Sequence, residues 1–395
     1  MRILFVHNRY KNLGGEDLTV KAEIQLMQQH GHTTDLFQVD NTRISGIAEK
    51  ASAALGTVCS LTSRRALSAR IQSFKPDLAH VHNFFPLLSP SVFHACQEVD
   101  VPVVNTLHNF RLICPNALLL REGRICEDCV GRAIAWPAVL HGCYRNSRVG
   151  SAVVAAMLAT HKFLRTWHSA VDAYIARSNF SRDKLIEGGL PSEKISTIPS
   201  FAPDPGEPAD SNGLFAFFAG RLSPEKGIAT LLSAWDRIRS SSLCLKLAGD
   251  GPLKDEVLRR ADGKRVQYLG LLSRDKVQEL MCQASVLIFP SICYENFPLS
   301  IVEAFASGLP VIASGMGAAA EIIDDGRTGL HFLPGNAEDL TAKIEWLISR
   351  PQEITRMRGE ARAEYLSKYT PERNYELTAQ LYGQVIDARC SSSVA

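Results

Sequence analysis

The stretch Phe289-Pro-Ser-Ile-Cys-Tyr-Glu295-Asn-Phe-Pro-Leu-Ser-Ile-Val-Glu303-Ala-Phe-Ala-Ser-Gly308 decides how this chain is read. The apolar run Val286–Phe289 reads as a buried strand that ends at Pro290. A loop follows, Pro298 falls where a first helical residue belongs, and Gly308 falls where the helix stops. A helix that starts at the carboxyl end of a parallel strand offers unpaired N–H groups to an anion. Glu295 belongs to the loop and Glu303 lies about one to two turns into the helix, so both are expected to face one cleft. Ile301, Val302, Ala304 and Phe305 surround Glu303 with apolar chain, which favours a buried, partnered carboxylate over a solvated one.

Two more strand ends carry the same kind of decoration. Phe217-Phe-Ala-Gly220-Arg221-Leu-Ser-Pro-Glu-Lys226-Gly227 joins a strand to a glycine turn with two cations five residues apart, and Ser223 or Pro224 is expected to open the next helix. Arginine grips a phosphate through paired N–H donors and lysine acts as a point charge, so the pair suits a diphosphate. Alone, such a pair is equally a set of surface cations. Ala248-Gly249-Asp250-Gly251-Pro252 follows another strand at the same expected edge, and the three ends together outweigh any one.

Working outward, Ile3–Val6, Leu78–Val81, Val103–Leu107 and Ala173–Ala176 read as buried parallel strands, and Leu214–Ala219, Leu243–Leu247, Val266–Leu269 and Val311–Ala313 form a second series with Val286–Phe289. Helix-length amphipathic segments such as Glu16–His30 separate them. Alternating strands and helices predict α/β architecture with two Rossmann-like, doubly wound domains. With 395 residues the chain is too long for one ordinary core. The expected organisation is an N-terminal domain over 1–197 with a cysteine-rich insert at 112–145, a proline-rich linker over 198–213, and a second domain over 214–368. A C-terminal helix within 369–395 is expected to pack back on the first domain before a polar tail.

A net charge of +2 excludes a nucleic-acid binder of the ordinary basic type. The charge is uneven, with 22 Lys and Arg against 16 Asp and Glu in residues 1–200 and 21 against 25 in the rest. A basic N-terminal half suits an anionic acceptor or membrane surface, or is merely scattered solvated charge. Met1–His7 opens directly as a strand with no leader-like apolar core, and no long uncharged apolar run is present, so a cytoplasmic chain is expected, at most at the inner face of the plasma membrane.

Residues 214–330 resemble the donor domain of the retaining, family-four glycosyltransferases of GT-B fold. The seven-residue interval between Glu295 and Glu303, within Pro-Ser-x3-Glu-x-Phe-Pro-Leu-x3-Glu-Ala, looks like that family's motif, and Gly220, Arg221 and Lys226 match its Gly-Arg-x4-Lys. The resemblance implies that Arg221 and Lys226 bind a donor diphosphate, that Glu303 binds the nucleotide ribose, and that Glu295 lies by the transferred sugar. It also implies sugar and phosphate contacts from the backbone of Asn296, Phe297, Pro298 and Leu299. Gly249 and Asp250 join the donor set. In the first domain, Val6-His7-Asn8-Arg-Tyr10-x3-Gly14-Gly15-Glu16 resembles the family's glycine loop, and His108, ending Val103–Leu107, resembles its active-site histidine. A lone histidine is otherwise more often structural. The loop is not a Gly-x-Gly-x-x-Gly fingerprint, which counts against a dehydrogenase.

The activity so implied is transfer of a hexose from a UDP- or GDP-sugar to a saccharide or lipid-linked saccharide in polysaccharide biosynthesis. It proceeds with retention, without a catalytic cofactor or a metal at the diphosphate. Two rivals stand beside it: a nucleotide-sugar epimerase or hydrolase on the same scaffold, and a non-catalytic sugar-nucleotide binding protein. Cys114, Cys126, Cys129 and Cys143 fall within 30 residues as a Cys-x2-Cys turn with one cysteine on each side, which suits a structural zinc first, then a set of free thiols, and last an iron–sulfur cluster. Ala152–Trp167 is apolar all round, which favours a helix buried in the first domain over one resting on an anionic membrane.

Overall fold

The computed structural model describes residues 1–10, 14–41, 56–207, 215–239 and 243–392. The expected linker residues 208–213 and Leu214 lie outside the described residues. Contacts divide the chain into two units. The first comprises Met1–Leu119, Cys126–Ile198 and Tyr375–Ala395, and the second Leu120–Ile125 and Pro199–Asn374.

The first unit is built on a six-stranded parallel sheet. Its strands are β1 (Arg2–Arg9), β2 (Thr33–Asp40), β3 (Leu78–Asn83) and β4 (Val103–Leu107). After a short antiparallel hairpin, β5 (Leu120–Arg121) with β6 (Arg124–Ile125), which groups with the second unit, come β7 (Ala173–Ala176) and β8 (Ile195–Thr197). The order is β2-β1-β3-β4-β7-β8, so the chain reverses direction of travel across the sheet between β1 and β3. Ile3, Phe5, Leu78, Val104 and Ile175 line one buried face. Leu381, Tyr382 and Val385 of the Pro371–Ser392 helix pack on that face, so the end of the chain closes the core of its beginning.

The second sheet contains β9 (Phe215–Ala219), β10 (Cys244–Ala248), β11 (Val266–Gly270), β12 (Val286–Phe289), β13 (Val311–Ser314) and β14 (Gly329–Phe332), in the order β11-β10-β9-β12-β13-β14. All its described pairings are parallel. Both faces are covered: Phe215, Phe217, Leu287 and Phe289 point into one cluster, and Ala216, Phe218, Val286 and Ile288 into the other. That two-sided burial explains why these strands read as unbroken apolar runs. The travel reverses between β9 and β12, and the crevice beyond such a switch point is where open α/β sheets bind ligands.

Candidate functional site

The loops after β9, β10 and β12 are knitted through their backbones. The Gly220 N–H donates to the Ala248 carbonyl at 3.0 Å, and the Leu222 N–H to the Asp250 carbonyl at 2.9 Å. Gly249 has φ +145°, and a Cβ there would meet the Gly220 carbonyl oxygen at 1.8 Å. Gly227, at φ +70°, would bring a Cβ to 1.9 Å from the Pro290 carbonyl oxygen. Only glycine permits both the approach and the dihedral at these two positions.

Ser223 and Pro224 do not open a long helix as expected. Pro224–Lys226 is a single 3-10 turn, and the helix proper, Ile228–Arg237, begins after the left-handed Gly227. The close packing of Gly227 on Pro290 forces that break, and its effect is to aim Lys226 at the loop after β12. Lys226 Nζ lies 2.6 Å from Glu295 Oε1. The Ser291 hydroxyl donates to the same oxygen at 2.8 Å, and the Ile292 N–H donates to the Glu225 carbonyl at 2.9 Å. Burial opposes the charge on Lys226, but the Glu295 carboxylate outweighs it and holds the ammonium above the ordinary lysine value. Burial likewise pushes the neighbouring Cys293 thiol far up, which keeps it uncharged and a poor nucleophile. Arg221 is exposed on the same turn, and Asp250 is exposed on the adjoining one.

Pro298 stands as the cap rather than as the first helical residue, and Leu299–Ala306 is the helix. Asn296, Phe297 and Leu299 are half-buried, and Phe297 packs against Tyr369 with ring centroids 6.2 Å apart. Glu303 is half-buried too, and its Oε1 accepts from Arg274 Nη2 at 3.0 Å. Burial raises its pKa and Arg274 opposes the rise. The expected partnered carboxylate is therefore what the fold holds. Arg221, Lys226, Glu295 and Glu303 thus belong to loops and a helix that leave the carboxyl edge of one sheet.

In the first unit the Gly14 N–H donates to Asp17 Oδ2 at 2.9 Å, and Asp17 Oδ1 lies 2.9 Å from His7 Nε2. Gly14 caps the Gly15–Gln29 helix, whose first turn is thereby anchored to the end of β1. Glu16 follows directly. Its carboxyl is pushed up to about 8 by burial, against the Tyr10 hydroxyl, which donates to it at 3.2 Å.

His108 is half-buried just beyond β4, and its Nε2 lies 3.0 Å from His82 Nδ1. His82 Nε2 is 3.6 Å from Glu23 Oε2, and Glu23 Oε1 accepts from the buried Arg177 guanidinium. His80 contacts Thr106 Oγ1 at 2.8 Å and the Tyr382 hydroxyl at 2.6 Å. Burial, aided by Arg177, holds both His80 and His108 well below the usual histidine range, so each is neutral. A small cavity of about 30 Å³, room for roughly one water, opens between residues that include His82, Asn83, His108 and Arg111.

Sequence reading missed Glu23, His80, His82 and Arg177. The available signal was His80-Val-His82-Asn83 at the end of a strand, whose alternate residues share one face. Among the described residues, Glu23, His80 and His82 are the group whose ligand atoms lie within 4.8 Å of one another. Both ring nitrogens of His80 already have partners and Arg177 sits on Glu23, so the cluster suits a buried hydrogen-bond network and not a metal ion.

Among the described residues no disulfide joins any two cysteines. The Cys129 thiol is pushed up to about 11, mainly by burial, and feels Cys114, Cys143 and Cys126 nearby. The four sulfurs are grouped, though no three of them come within 4.8 Å of one another, so a bound ion would have to draw them inward.

Two parallel α/β units, each with decorated strand ends, define a glycosyltransferase of GT-B architecture. The family model described as Glycosyltransferase Family 4 matches residues 27–202, and that described as Glycosyl transferases group 1 matches 214–350. The chain belongs to the family-four glycosyltransferases of GT-B fold. It is 25% identical over 249 residues to the sulfoquinovosyl transferase SQD2 of Arabidopsis thaliana, covering 60% of this chain and 44% of that protein. It is 25% identical to a glycogen synthase of Mycobacterium tuberculosis, covering 79% and 69%. The chain thus spans less than half the length of the first of these relatives. The structure of Anabaena Alr3699/HepE in complex with UDP shares the fold at TM-score 0.68 and 18% identity, covering 97% of this chain and all of that one. Sucrose-phosphate synthase of Thermosynechococcus elongatus does so at TM-score 0.73 and 18% identity, covering 98% and 99%.

Proposed function

We propose that the protein transfers a hexose from a UDP- or GDP-sugar to a saccharide or lipid-linked saccharide acceptor, with retention at the anomeric carbon. The reading places it in cytoplasmic polysaccharide assembly at the inner face of an anionic membrane. The observation that carries it is the Lys226–Glu295 pair at the switch point of the second sheet, with Arg221 on the same turn. HepE, a fold relative, holds UDP and UDP-glucose in its solved structures, which supports a nucleotide-sugar donor.

In this reading the donor diphosphate takes Lys226 and Arg221 as its cationic partners, so the charge growing on the leaving group meets fixed positive charge. Such preorganised donors are worth about 3–4 kcal/mol each in the transition state, which makes a divalent metal at the diphosphate unnecessary. Glu303, when Arg274 yields, accepts from the ribose hydroxyls. The acceptor hydroxyl attacks from the face the diphosphate leaves, and no covalent glycosyl-enzyme forms. Neutral His108, positioned by His82, hydrogen-bonds a sugar hydroxyl without adding charge.

Equilibrium binding of UDP, GDP and ADP to the full chain tests the donor assignment. One nucleotide is expected to bind in EDTA, at least tenfold more weakly to Lys226→Met and to Glu303→Gln. Equal affinity in all three proteins would place the donor elsewhere.

A further inference from the structure

The helix Arg148–Phe163 does not lie buried, as its all-round apolar sequence predicts. Ser151, Val154, Ala155, Met157, Leu158 and His161 make its inward side. Val149, Ala152, Ala156 and Phe163 are exposed, with Val153 and Thr160 between them half-exposed. At about 100° per residue, these six positions fall on one stripe that runs about 20 Å along the helix. No charge interrupts it. Val149 is 76% exposed and Phe163 88%. The short helix Trp136–His141 packs beside this one, and its Trp136 and Leu140 are each 54% exposed. An apolar stripe left bare to this extent needs an occupant.

The surrounding charge says which kind. Residues 129–171 contain five Lys and Arg and not one Asp or Glu. Arg148 stands at the start of the stripe, and Lys162 and Arg165 at its end. Arg145, Arg148 and Arg165 are exposed, and Arg132 lies 5.4 Å from the centre of the Trp136 ring. Apolar and aromatic side chains flanked by cations match the boundary of an anionic bilayer, where rings enter the headgroup layer and long basic chains reach lipid phosphates. A protein partner of ordinary composition would meet uncompensated positive charge here.

We propose that this helical pair is a membrane-docking face that lays Val149, Trp136 and Phe163 into the surface of an anionic bilayer. The inference rests on the reading that the acceptor is presented at a membrane, and it names the surface that reaches it.

The test is flotation of the full chain with vesicles of phosphatidylcholine containing one third phosphatidylglycerol, and with vesicles of phosphatidylcholine alone. Wild type is expected to float with the anionic vesicles only. Val149→Ser with Phe163→Ser should weaken that binding at least tenfold, and each of Arg145→Gln, Arg148→Gln and Arg165→Gln by about fivefold. All variants should bind nucleotide like wild type, which shows that they fold and reports on the donor assignment separately. Failure of wild type to float, or undiminished floating of the double serine variant, overturns the proposal. A concentration-dependent dimer abolished by the same serines, with no floating, would assign the stripe to a second copy instead.

Discussion

Glu16 offers a perturbation whose size follows from its surroundings. Its side chain is 10% exposed, and burial lifts its pKa from 4.5 to about 8. The folded chain therefore keeps a proton that the unfolded chain has lost at neutral pH. Stability from this group is complete below the unfolded value and disappears as pH rises through the folded one. Between pH 5 and pH 8 the loss amounts to roughly 3–4 kcal/mol, from 1.36 kcal/mol per pKa unit. Glu16→Gln keeps the neutral shape and removes the titration. Hydrogen exchange of the β1 and Gly15–Gln29 peptides reads this unit by itself. The protection of wild type relative to the variant should fall steadily across that pH range. Parallel profiles for the two proteins would refute the protonated Glu16, and with it the close organisation of the glycine loop around it.

Three further outcomes follow from particular contacts. Gly249→Ala drives a Cβ into the Gly220 carbonyl, so a loss on the order of 3 kcal/mol is expected in urea unfolding of the second unit, whereas the open Gly335 should lose less than half as much as alanine. Glu23→Ala leaves the buried Arg177 without its carboxylate, and a loss of about 3–5 kcal/mol in first-unit stability is expected; Arg177→Met in the same chain should recover much of it. We further propose that zinc draws Cys114, Cys126, Cys129 and Cys143 together, so tag-free protein should carry about one zinc per chain by elemental analysis. Absence of zinc after growth in zinc-supplemented medium would return the four to reduced thiols.

The central strands were legible because burial on both faces leaves an unbroken apolar signature, as in Phe215–Ala219 and Val286–Phe289. Strand β2 was not read, since Thr33-Thr-Asp-Leu-Phe-Gln-Val-Asp40 is only partly buried and alternates weakly; β8 is three residues long, and β14 carries only Leu330 and Phe332 as large apolar residues. The grouping of Arg221, Lys226 and Glu295 at one sheet edge was legible through turn chemistry close in sequence. The His82–Glu23–Arg177 network did not, because its members come from β3, a helix and the end of β7, joined only by the sheet order. The Arg148–Phe163 helix misled for another reason. An apolar circumference signals burial only where something covers every side, and sequence alone does not supply the cover.

The decisive experiment is nucleoside diphosphate release from UDP-, GDP- and ADP-sugars in EDTA, with wild type beside Lys226→Ala. Slow release from one donor is expected, unaffected by the chelator and reduced at least a hundredfold in the variant. Release that needs a divalent metal, or that persists in Lys226→Ala, would contradict the proposed function.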